Sequence, residues 1–338
     1  MKIAFIGSHE RDRVSRVLLG AVCALSVGAG GGGLIAPAGL ASGPALVTAA
    51  TDTARDLYIA TAPSETLHAV LSGDGPPVVL IPGLFGSAYG FRKVIPLLSA
   101  AGYQSIVVEP LGFGTSERPQ RADYSLTAQA DRVAAVLESL QTGPAIIIGH
   151  SIGGAIAFRL AVQHPSLVVA IVSIEGGPTE HAATASLGRA MRFAPLIRLF
   201  GGMRLVRRQL RHRLMDASGD TTWVTDSVIA GYTVGTARDL GATLRAYRAM
   251  ADSRESQSLR SRLGEIVSPV RMLIGGARHS FGTPDEELAL LHASLQSFAV
   301  DTQPGAGHFI FEEQPAAIVE EILRLPARVR LPSPPRSR

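Results

Sequence analysis

Short, mostly apolar runs alternate with amphipathic segments over residues 65–177 of this 338-residue chain. Apolar runs of about four to eight residues are typical of strands buried in a parallel sheet, and apolar residues at helical spacing indicate helices that cover it. The predicted strands are residues 66–71, 78–81, 105–108, 145–148 and 167–174, and the predicted helices are residues 91–100, 126–140 and 155–164. This order predicts an α/β fold with a mostly parallel sheet flanked by helices.

The alternation stops over residues 178–268, where the pattern is helical in character and contains no clear strand. It resumes in the last third of the chain. Further strands are predicted at 270–274 and 298–302, and further helices at 285–295 and 315–323. A long insertion between sheet strands is typical of a cap over a site that is built from loops. The sequence therefore predicts a core in two parts, 51–177 and 269–326, with a helical cap at 178–268 between them.

Residues 1–50 have the composition of a targeting segment. No charged side chain occurs from residue 17 to residue 51, and three arginines lie within residues 11–16. A basic flank before an apolar stretch resembles a secretory signal, with Ala-Pro-Ala at residues 36–38 as a cleavage site. The alternative is an uncleaved membrane anchor, which a run of four glycines weakens. We expect an exported or membrane-associated protein, in the cell envelope or secreted, rather than a cytoplasmic one.

Composition excludes several classes of protein. The single cysteine, Cys23, excludes a disulfide framework or a cysteine-based metal site within one chain. The net charge is +4, but the basic residues form no recognised nucleic-acid motif, so we expect no nucleic-acid partner. Residues 327–338 form a tail rich in proline and arginine that cannot bury enough apolar surface to order itself, and we expect it to be disordered.

Residues 149–153 read Gly-His-Ser-Ile-Gly, directly after an apolar strand and before a helical segment. A Gly-x-Ser-x-Gly motif between strand and helix predicts a nucleophile elbow, a strained turn that exposes the serine hydroxyl to a substrate. Gly149 and Gly153 have no Cβ, so strand and helix can approach closely around the turn. The sequence therefore predicts Ser151 as a catalytic nucleophile.

Four motifs in chain order make residues 65–325 similar to the α/β-hydrolase superfamily. They are Ile-Pro-Gly-Leu-Phe-Gly-Ser at 81–87, Glu-Pro-Leu-Gly-Phe-Gly-Thr-Ser-Glu-Arg-Pro at 109–119, the elbow, and Gly-Ala-Gly-His-Phe at 305–309. The resemblance implies that the backbone N–H groups of Leu84 and Ile152 form an oxyanion hole. It gives the 109–119 turn a structural role. Pro82 departs from the family, which usually has histidine there.

The same resemblance implies the catalytic base. The family's chain order is nucleophile, acid and then histidine, and His308 follows the last predicted strand, as the family's histidine does. His308 is therefore expected to take the proton of Ser151 and return it to the leaving group. His150, inside the elbow, is expected only to line the pocket.

The acid is where this chain departs from the family pattern. The loop at 275–282, where the acid usually lies, has no carboxylate. Asp285 comes next, but it resembles a helix start, where acids complement the helix dipole. Some members, haloalkane dehalogenases among them, place the acid after the preceding strand, where Glu175 stands. A carboxylate at the end of a buried strand is costly unless it is paired, so we favour Glu175 over Asp285, although a merely exposed Glu175 is also possible.

The predicted cap carries a dense run of arginines without an acid between them, interleaved with apolar residues. They are Arg189, Arg192, Arg198, Arg204, Arg207, Arg208, Arg211 and Arg213. A basic amphipathic helix could bind an anionic membrane surface or guide an acyl chain. The alternative is a solvated basic face over an apolar face that packs on the core.

Together these features predict a serine hydrolase that cleaves carboxylic esters, with an apolar or lipid-like acyl substrate, through an acyl-enzyme on Ser151. No cofactor or metal is expected. The same triad also serves C–C bond hydrolases, thioesterases, cofactor-free haloperoxidases and acyltransferases, and fold alone does not separate them. A different class, a receptor that binds a ligand without catalysis, is disfavoured because nucleophile and base are both present.

Overall fold

A single eight-stranded sheet organises the structure, a computed structural model that describes residues 54–182 and 202–329. The strand order is β1-β2-β4-β3-β5-β6-β7-β8. The strands are β1 (Arg55–Ala62), β2 (Glu65–Ser72), β3 (Pro77–Ile81), β4 (Gln104–Glu109), β5 (Ala145–His150), β6 (Val168–Ile174), β7 (Val270–Gly275) and β8 (Phe298–Gln303). The pairs β1–β2 and β2–β4 are antiparallel and all other neighbours are parallel, which confirms the predicted fold class.

Ten α-helices flank the sheet or fill the insertion in the described part of the chain. They are α1 (Ile95–Ala100), α2 (Leu126–Leu140), α3 (Ile152–Gln163), α4 (Gly202–Asp216), α5 (Asp226–Tyr232), α6 (Val234–Arg238), α7 (Leu240–Asp252), α8 (Asp285–Ser294), α9 (Ile310–Glu313) and α10 (Ala316–Arg324). The predicted leader, residues 183–201 of the predicted cap and residues 330–338 of the tail lie outside the described residues. The first three residues of the tail, Ala327–Val329, form a 3₁₀ turn.

The sheet is buried on both faces because neighbouring side chains of its central strands point to opposite sides. Ile147 of β5 lies in a core with α2 and α3, which contribute Val133 and Ile156. Ile146 and Ile148 lie in a second core, which includes residues of α1 and α10. Two apolar faces on each strand explain why the sequence pattern there is continuous rather than alternating.

The register of the parallel strands places several loops at one edge of the sheet. His150 lies opposite Ile174, Ile174 lies opposite Leu273, and Gly275 lies opposite Gln303. Because the four strands β5 to β8 are parallel, the loops that follow them leave at the same edge, where open α/β sheets bind their ligands.

Two elements differ from the prediction for the core. Residues 91–100 are not one helix, because a 3₁₀ helix over Ala88–Lys93 precedes α1, whose first turn contains Pro96. Proline has no N–H and its ring clashes with the preceding turn, so a helix can begin but not continue there. The added strand, β1, was not predicted, since it is an edge strand with mostly exposed residues.

In the described residues of the insertion between β6 and β7, all the regular secondary structure is helical. The insertion contains α4 to α7 and a 3₁₀ helix at Arg260–Glu265, and no strand occurs in its described residues. Part of α4 and α5 packs around Trp223 in a small separate cluster, with Leu214, Val228 and Tyr232. In contrast, Tyr247 and Met250 of α7 belong to the core that contains residues of α2 and α3.

Candidate active site

Ser151 lies on a tight turn between β5 and α3. Its φ is +53° and its ψ is −119°, a conformation that residues with side chains rarely adopt. A Cβ at Gly149 would lie 2.4 Å from the carbonyl oxygen of Gly153, and a Cβ at Gly153 would lie 2.3 Å from that of Ile81. Only glycine fits at both positions, so the chain holds Ser151 in the backbone geometry that the motif predicts.

The loop after β3 lies beside this turn. Leu84 and Ile152 both line the cavity that Ser151 lines. The N–H of Gly86 donates to the carbonyl oxygen of Gly83 at 2.8 Å, and Phe85 has a φ of +67°, so the loop is a tight turn around Leu84. The two residues predicted to supply an oxyanion hole therefore line the same cavity as Ser151, and Ile152 begins a helix, where backbone N–H groups have no intrahelical partner.

His308 lies in the loop between β8 and α9 and is 6% exposed. Its backbone N–H donates to the carbonyl oxygen of Ala217, at the end of α4, at 2.7 Å. Burial lowers the pKa of His308 well below its usual value, and the nearby rings of His150 and His279 lower it further. Its Nδ1 has no hydrogen-bond partner among the described residues. A neutral imidazole has the protonation state that a general base needs.

His150 does more than line the cavity. Its Nε2 donates to the carbonyl oxygen of His308 at 3.2 Å, and a Cβ at Gly83 would lie 2.6 Å from its Nδ1. Complete burial lowers the pKa of His150 to about 3, so the ring is neutral. His150 thus packs between the Leu84 loop and the His308 loop, a role that the sequence did not indicate.

Glu175 is the residue directly after β6, with a φ of +49° and a side chain that has no exposed surface. Its carboxylate accepts hydrogen bonds from the N–H of Gly275 at 2.5 Å and from the N–H and Oγ1 of Thr283, both at 3.2 Å. Burial raises its pKa, and these donors act in the opposite direction. A carboxylate oxygen of Glu175 and a ring nitrogen of His308 lie within 4.8 Å of one another. The structure therefore brings Glu175 and His308 together.

Asp285, the alternative acid, is placed differently. It is the first residue of α8, is exposed, and is not among the residues that line the cavity. Glu286 and Glu287 share its helical turn, so all three carboxylates complement the positive end of the helix dipole.

One residue of this region was missed by the sequence reasoning. His279 lies in the loop after β7, with its Nδ1 2.7 Å from the carbonyl oxygen of Ala277 and its Nε2 3.2 Å from Oε1 of Glu175. The sequence does contain a signal for His279, since it is a histidine in the loop at 275–282, where the family's usual carboxylate is missing.

A cavity of about 550 Å³ opens above these residues. Volumes of several hundred Å³ are typical of small-molecule sites. The insertion contributes Leu210, Arg213, Leu214 and Tyr232 to its walls, and the loops at the sheet edge contribute Phe281 and Phe309, among others. Burial lowers the pKa of Arg213. Apart from that cation, most of the lining is apolar.

The arginine run divides between described and undescribed residues. Arg204, Arg207, Arg208, Arg211 and Arg213 all lie on α4, and Arg189, Arg192 and Arg198 lie outside the described residues. Arg211 donates to the carbonyl oxygen of Val224 and pairs with Asp226. Arg204 and Arg208 are exposed. Over 54–182 and 202–329, the structure contains no helix that combines the length and apolar character needed to cross a bilayer.

The turn at 109–119 is tied to the Leu84 loop by one buried carboxylate. Oε1 of Glu109 accepts the N–H of Ala88 at 2.8 Å, and its Oε2 accepts the N–H of Thr115 at 2.5 Å and lies 3.0 Å from Nδ1 of His68. Glu109 is 2% exposed. Its neighbours lower its pKa although burial opposes this, with His68 contributing most. The contacts agree with a structural role for this turn.

The sheet order, the elbow and the cavity at the carboxyl ends of the strands define a class of enzyme. A family model described as the α/β hydrolase fold matches residues 76–214. The chain belongs to the α/β-hydrolase superfamily, and it is an α/β-hydrolase enzyme.

The similar proteins that have names share about a third or less of their residues with this chain. The chain is 29% identical over 247 residues to an uncharacterized hydrolase, YugF, of Bacillus subtilis, covering 72% of this chain and 88% of that one. It is 31% identical over 189 residues to a haloalkane dehalogenase of Mycobacterium marinum, covering 54% and 57% of the two chains. A malate-bound esterase from Thermogutta terrifontis has a similar structure, with a TM-score of 0.66 at 20% identity over 82% of this chain and all of that one. At 20% identity, the similarity to this esterase shows a shared fold.

Proposed function

We propose that this enzyme hydrolyses carboxylic esters through a covalent acyl-enzyme on Ser151, with His308 as general base and Glu175 as its carboxylate partner. The proposal is carried by one observation: Ser151, on a positive-φ turn, opens onto a cavity that His308, Glu175, Leu84 and Ile152 also line. A nucleophile, a base, an acid and two backbone donors around one space are the components that acyl transfer requires.

The chemistry proceeds in two halves. His308 accepts the hydroxyl proton as Oγ of Ser151 forms a bond to the ester carbonyl carbon. The N–H groups of Leu84 and Ile152 stabilise the oxyanion, each contributing about 3 kcal/mol to lowering the barrier. The intermediate expels the alcohol, which takes its proton from His308. In the second half His308 deprotonates a water molecule as it attacks the acyl carbon. The bond from that carbon to Oγ of Ser151 then breaks, Oγ takes the proton back from His308, and the carboxylic acid leaves.

Glu175 is the better candidate for the acid because it is buried beside the base. A carboxylate within 4.8 Å of the imidazole can stabilise the imidazolium that forms during each half-reaction. The positions of its hydrogen-bond donors, Gly275 and Thr283, fix the carboxylate without neutralising its charge.

The cavity supports an apolar acyl group as substrate. Its walls combine Leu210, Leu214 and Tyr232 of the insertion with Phe281 and Phe309, which favours aliphatic or aromatic chains over polar ones. A haloalkane dehalogenase is among the relatives. Dehalogenation through an ester intermediate needs a carboxylate nucleophile, however, and the elbow of this chain carries a hydroxyl.

We propose in addition that the enzyme acts outside the cytoplasm. The charge-free stretch at 17–51 supports export, and the exposed Arg204 and Arg208 on α4 could contact an anionic membrane surface. Fractionation of cells that express the full chain, with N-terminal sequencing of the recovered protein, tests this. Recovery of an intact chain in the cytoplasmic fraction alone contradicts it.

The catalytic proposal is tested with p-nitrophenyl esters of graded acyl length and with a fluorophosphonate probe. The intact protein should turn over the esters and gain the mass of one probe at Ser151. Ser151→Ala should lose both properties, with kcat/KM reduced by about 10⁴-fold or more. Ser139→Ala, at an exposed position of α2, is the matched control and should keep both. Ester binding without turnover or labelling would instead support the receptor alternative.

A further inference from the structure

Three side chains that are far apart in the sequence converge beside the cavity. One carboxylate oxygen of Glu175 and one ring nitrogen each of His279 and His308 lie within 4.8 Å of one another. The carboxylate has no exposed surface, and the side chain of His279 is 4% exposed. Two imidazoles and one carboxylate form a ligand set found in protein zinc sites.

The hydrogen bond of His279 determines which of its ring nitrogens carries the proton. Its Nδ1 lies 2.7 Å from the carbonyl oxygen of Ala277, which can only accept, so Nδ1 must donate. In a neutral ring, Nε2 then holds a lone pair, and this lone pair lies 3.2 Å from Oε1 of Glu175. Two electron-rich atoms buried this close together need a cation between them, either a proton or a metal ion.

The two histidines also supply the free atoms that such a cation needs. Nε2 of His279 and Nδ1 of His308 are both buried, and neither has a hydrogen-bond partner among the described residues. The 3.2 Å approach of His279 to Glu175 is close, but it is not aligned as a hydrogen bond. Buried polar atoms without partners are uncommon in native proteins, and two histidines that each carry one lie beside one buried carboxylate, which indicates a place for a ligand.

We propose that Glu175, His279 and His308 bind one Zn²⁺-like transition-metal ion, and that this ion reversibly inhibits the hydrolase by occupying the base and the acid. The inhibition, but not the binding, rests on the proposed function. Metal–ligand bonds of about 2.0–2.2 Å in a tetrahedron place ligand atoms about 3.4 Å apart. Glu175 and His279 already have nearly this spacing, so the ring of His308, whose nitrogen lies within 4.8 Å of both other ligand atoms, is the part that moves, by up to about 1.4 Å.

The ligand types predict selectivity among metal ions. Imidazole nitrogens suit Zn²⁺, Co²⁺, Ni²⁺ and Cu²⁺, whereas Mg²⁺ and Ca²⁺ prefer sets of oxygen ligands. Three protein ligands leave a fourth position open for water. We therefore expect Zn²⁺ and Co²⁺ to bind, and Mg²⁺ and Ca²⁺ not to compete with them.

Binding is measured separately from catalysis. Full-length Ser151→Ala protein, which retains all three ligands, is titrated with ZnCl₂ by calorimetry and with CoCl₂ by visible absorption. One ion should bind per chain, and Co²⁺ should give the absorption bands of a tetrahedral site. Adding His279→Asn should weaken the affinity by about 100-fold or more, because the loss of even an outer-shell partner costs about 10–100-fold. His292→Asn, at an exposed position near the end of α8, is the matched control and should leave the affinity unchanged.

Inhibition is measured with the otherwise unmodified enzyme and a p-nitrophenyl ester. Zn²⁺ should abolish turnover, EDTA should restore it, and in His279→Asn about 100-fold more Zn²⁺ should be needed for the same fractional inhibition. Zn²⁺ binding that depends on His279, in a protein that hydrolyses no ester, would support the metal site and refute the esterase. No binding, or binding that His279→Asn and Glu175→Gln both leave unchanged, would overturn the metal site and leave the esterase proposal intact.

Discussion

The backbone N–H of Ser151 donates a hydrogen bond of 2.8 Å to the carbonyl oxygen of Ile174. Glu175, the residue after Ile174, donates its own N–H to the carbonyl oxygen of Leu273 at 2.9 Å. Backbone hydrogen bonds that continue the pairing of the sheet thus hold the turn after β5 to β6 and the turn after β6 to β7. Changes to the side chains of Ser151 or Glu175 should therefore alter the chemistry while the backbone geometry stays.

We expect Glu175→Gln to lower kcat/KM by about 10²- to 10⁴-fold. Glutamine has the size of glutamate and can still accept the N–H of Gly275, but it cannot stabilise an imidazolium. Asp285→Asn, at the exposed start of α8, should change kcat/KM less than about twofold. Circular dichroism and thermal melting verify that both variants fold. If Asp285→Asn abolishes turnover and Glu175→Gln does not, Glu175 is not the acid.

The activity should persist to lower pH than an ordinary histidine would allow. The base form of His308 is neutral, and burial holds its pKa well below 6.5, so protonation removes the base only in more acidic solution. In a profile of kcat/KM against pH, which reports the free enzyme, the acidic limb should fall at a pH below 6.5. A limb centred at or above 6.5, in a protein that remains folded over the whole range, would contradict this.

Glu109→Gln should destabilise the fold by about 3 kcal/mol, because it breaks a buried, hydrogen-bonded charge pair. Both carboxylate oxygens of Glu109 accept backbone N–H groups, so an amide must turn its NH₂ group towards one of these donors. Denaturant unfolding measures the loss. Glu138→Gln, at an exposed position of α2, serves as the control and should change the free energy of unfolding by less than about 0.5 kcal/mol. Equal losses in the two variants would show that the carboxylate of Glu109 does not stabilise the turn.

Gly149→Ala should be strongly destabilising and should reduce the yield of folded protein. The added Cβ would meet the carbonyl oxygen of Gly153 at 2.4 Å, and backbone atoms cannot move aside as the end of a side chain can. Overpacking of this kind costs about 1–3 kcal/mol or more. Gly264→Ala is a matched control, since its nearest neighbour, the carbonyl oxygen of Ser294, is 3.8 Å away. Equal melting temperatures for the two variants would contradict the steric argument.

The parts of the fold that could be predicted are those determined by local pattern. The predicted helix at 126–140 has the bounds of α2, where Ser125 accepts the N–H of Ala128 and Gln141 ends the helix in a left-handed conformation. The elbow could be predicted because its two glycines and its serine are adjacent in the chain. Pro96 is the local signal for the break within the predicted helix at 91–100, because proline lacks the N–H that a continuing helix needs.

The rest depends on contacts between distant parts of the chain. Glu175 and His279 are 104 positions apart in the sequence, and only the parallel pairing of β6 with β7 brings their loops together. Likewise, the contact of His150 with the carbonyl oxygen of His308 joins residues that are 158 positions apart. Spacing along one chain carries no record of such pairings, so the sequence offered Glu175 and showed a histidine in the loop at 275–282, but it gave no reason to pair the two.

The order in which the catalytic candidates occur along the polypeptide has a practical consequence. Ser151 and Glu175 precede the helical insertion, whereas His308 follows it, after β8. Dividing the gene between the exposed residues Ser256 and Gln257 would yield two inactive fragments, one with the hydroxyl and carboxylate and the other with the imidazole. If each half is fused to one of two interacting proteins, the site should reassemble only when those two proteins bind each other. Hydrolysis of a chromogenic ester would then report that interaction.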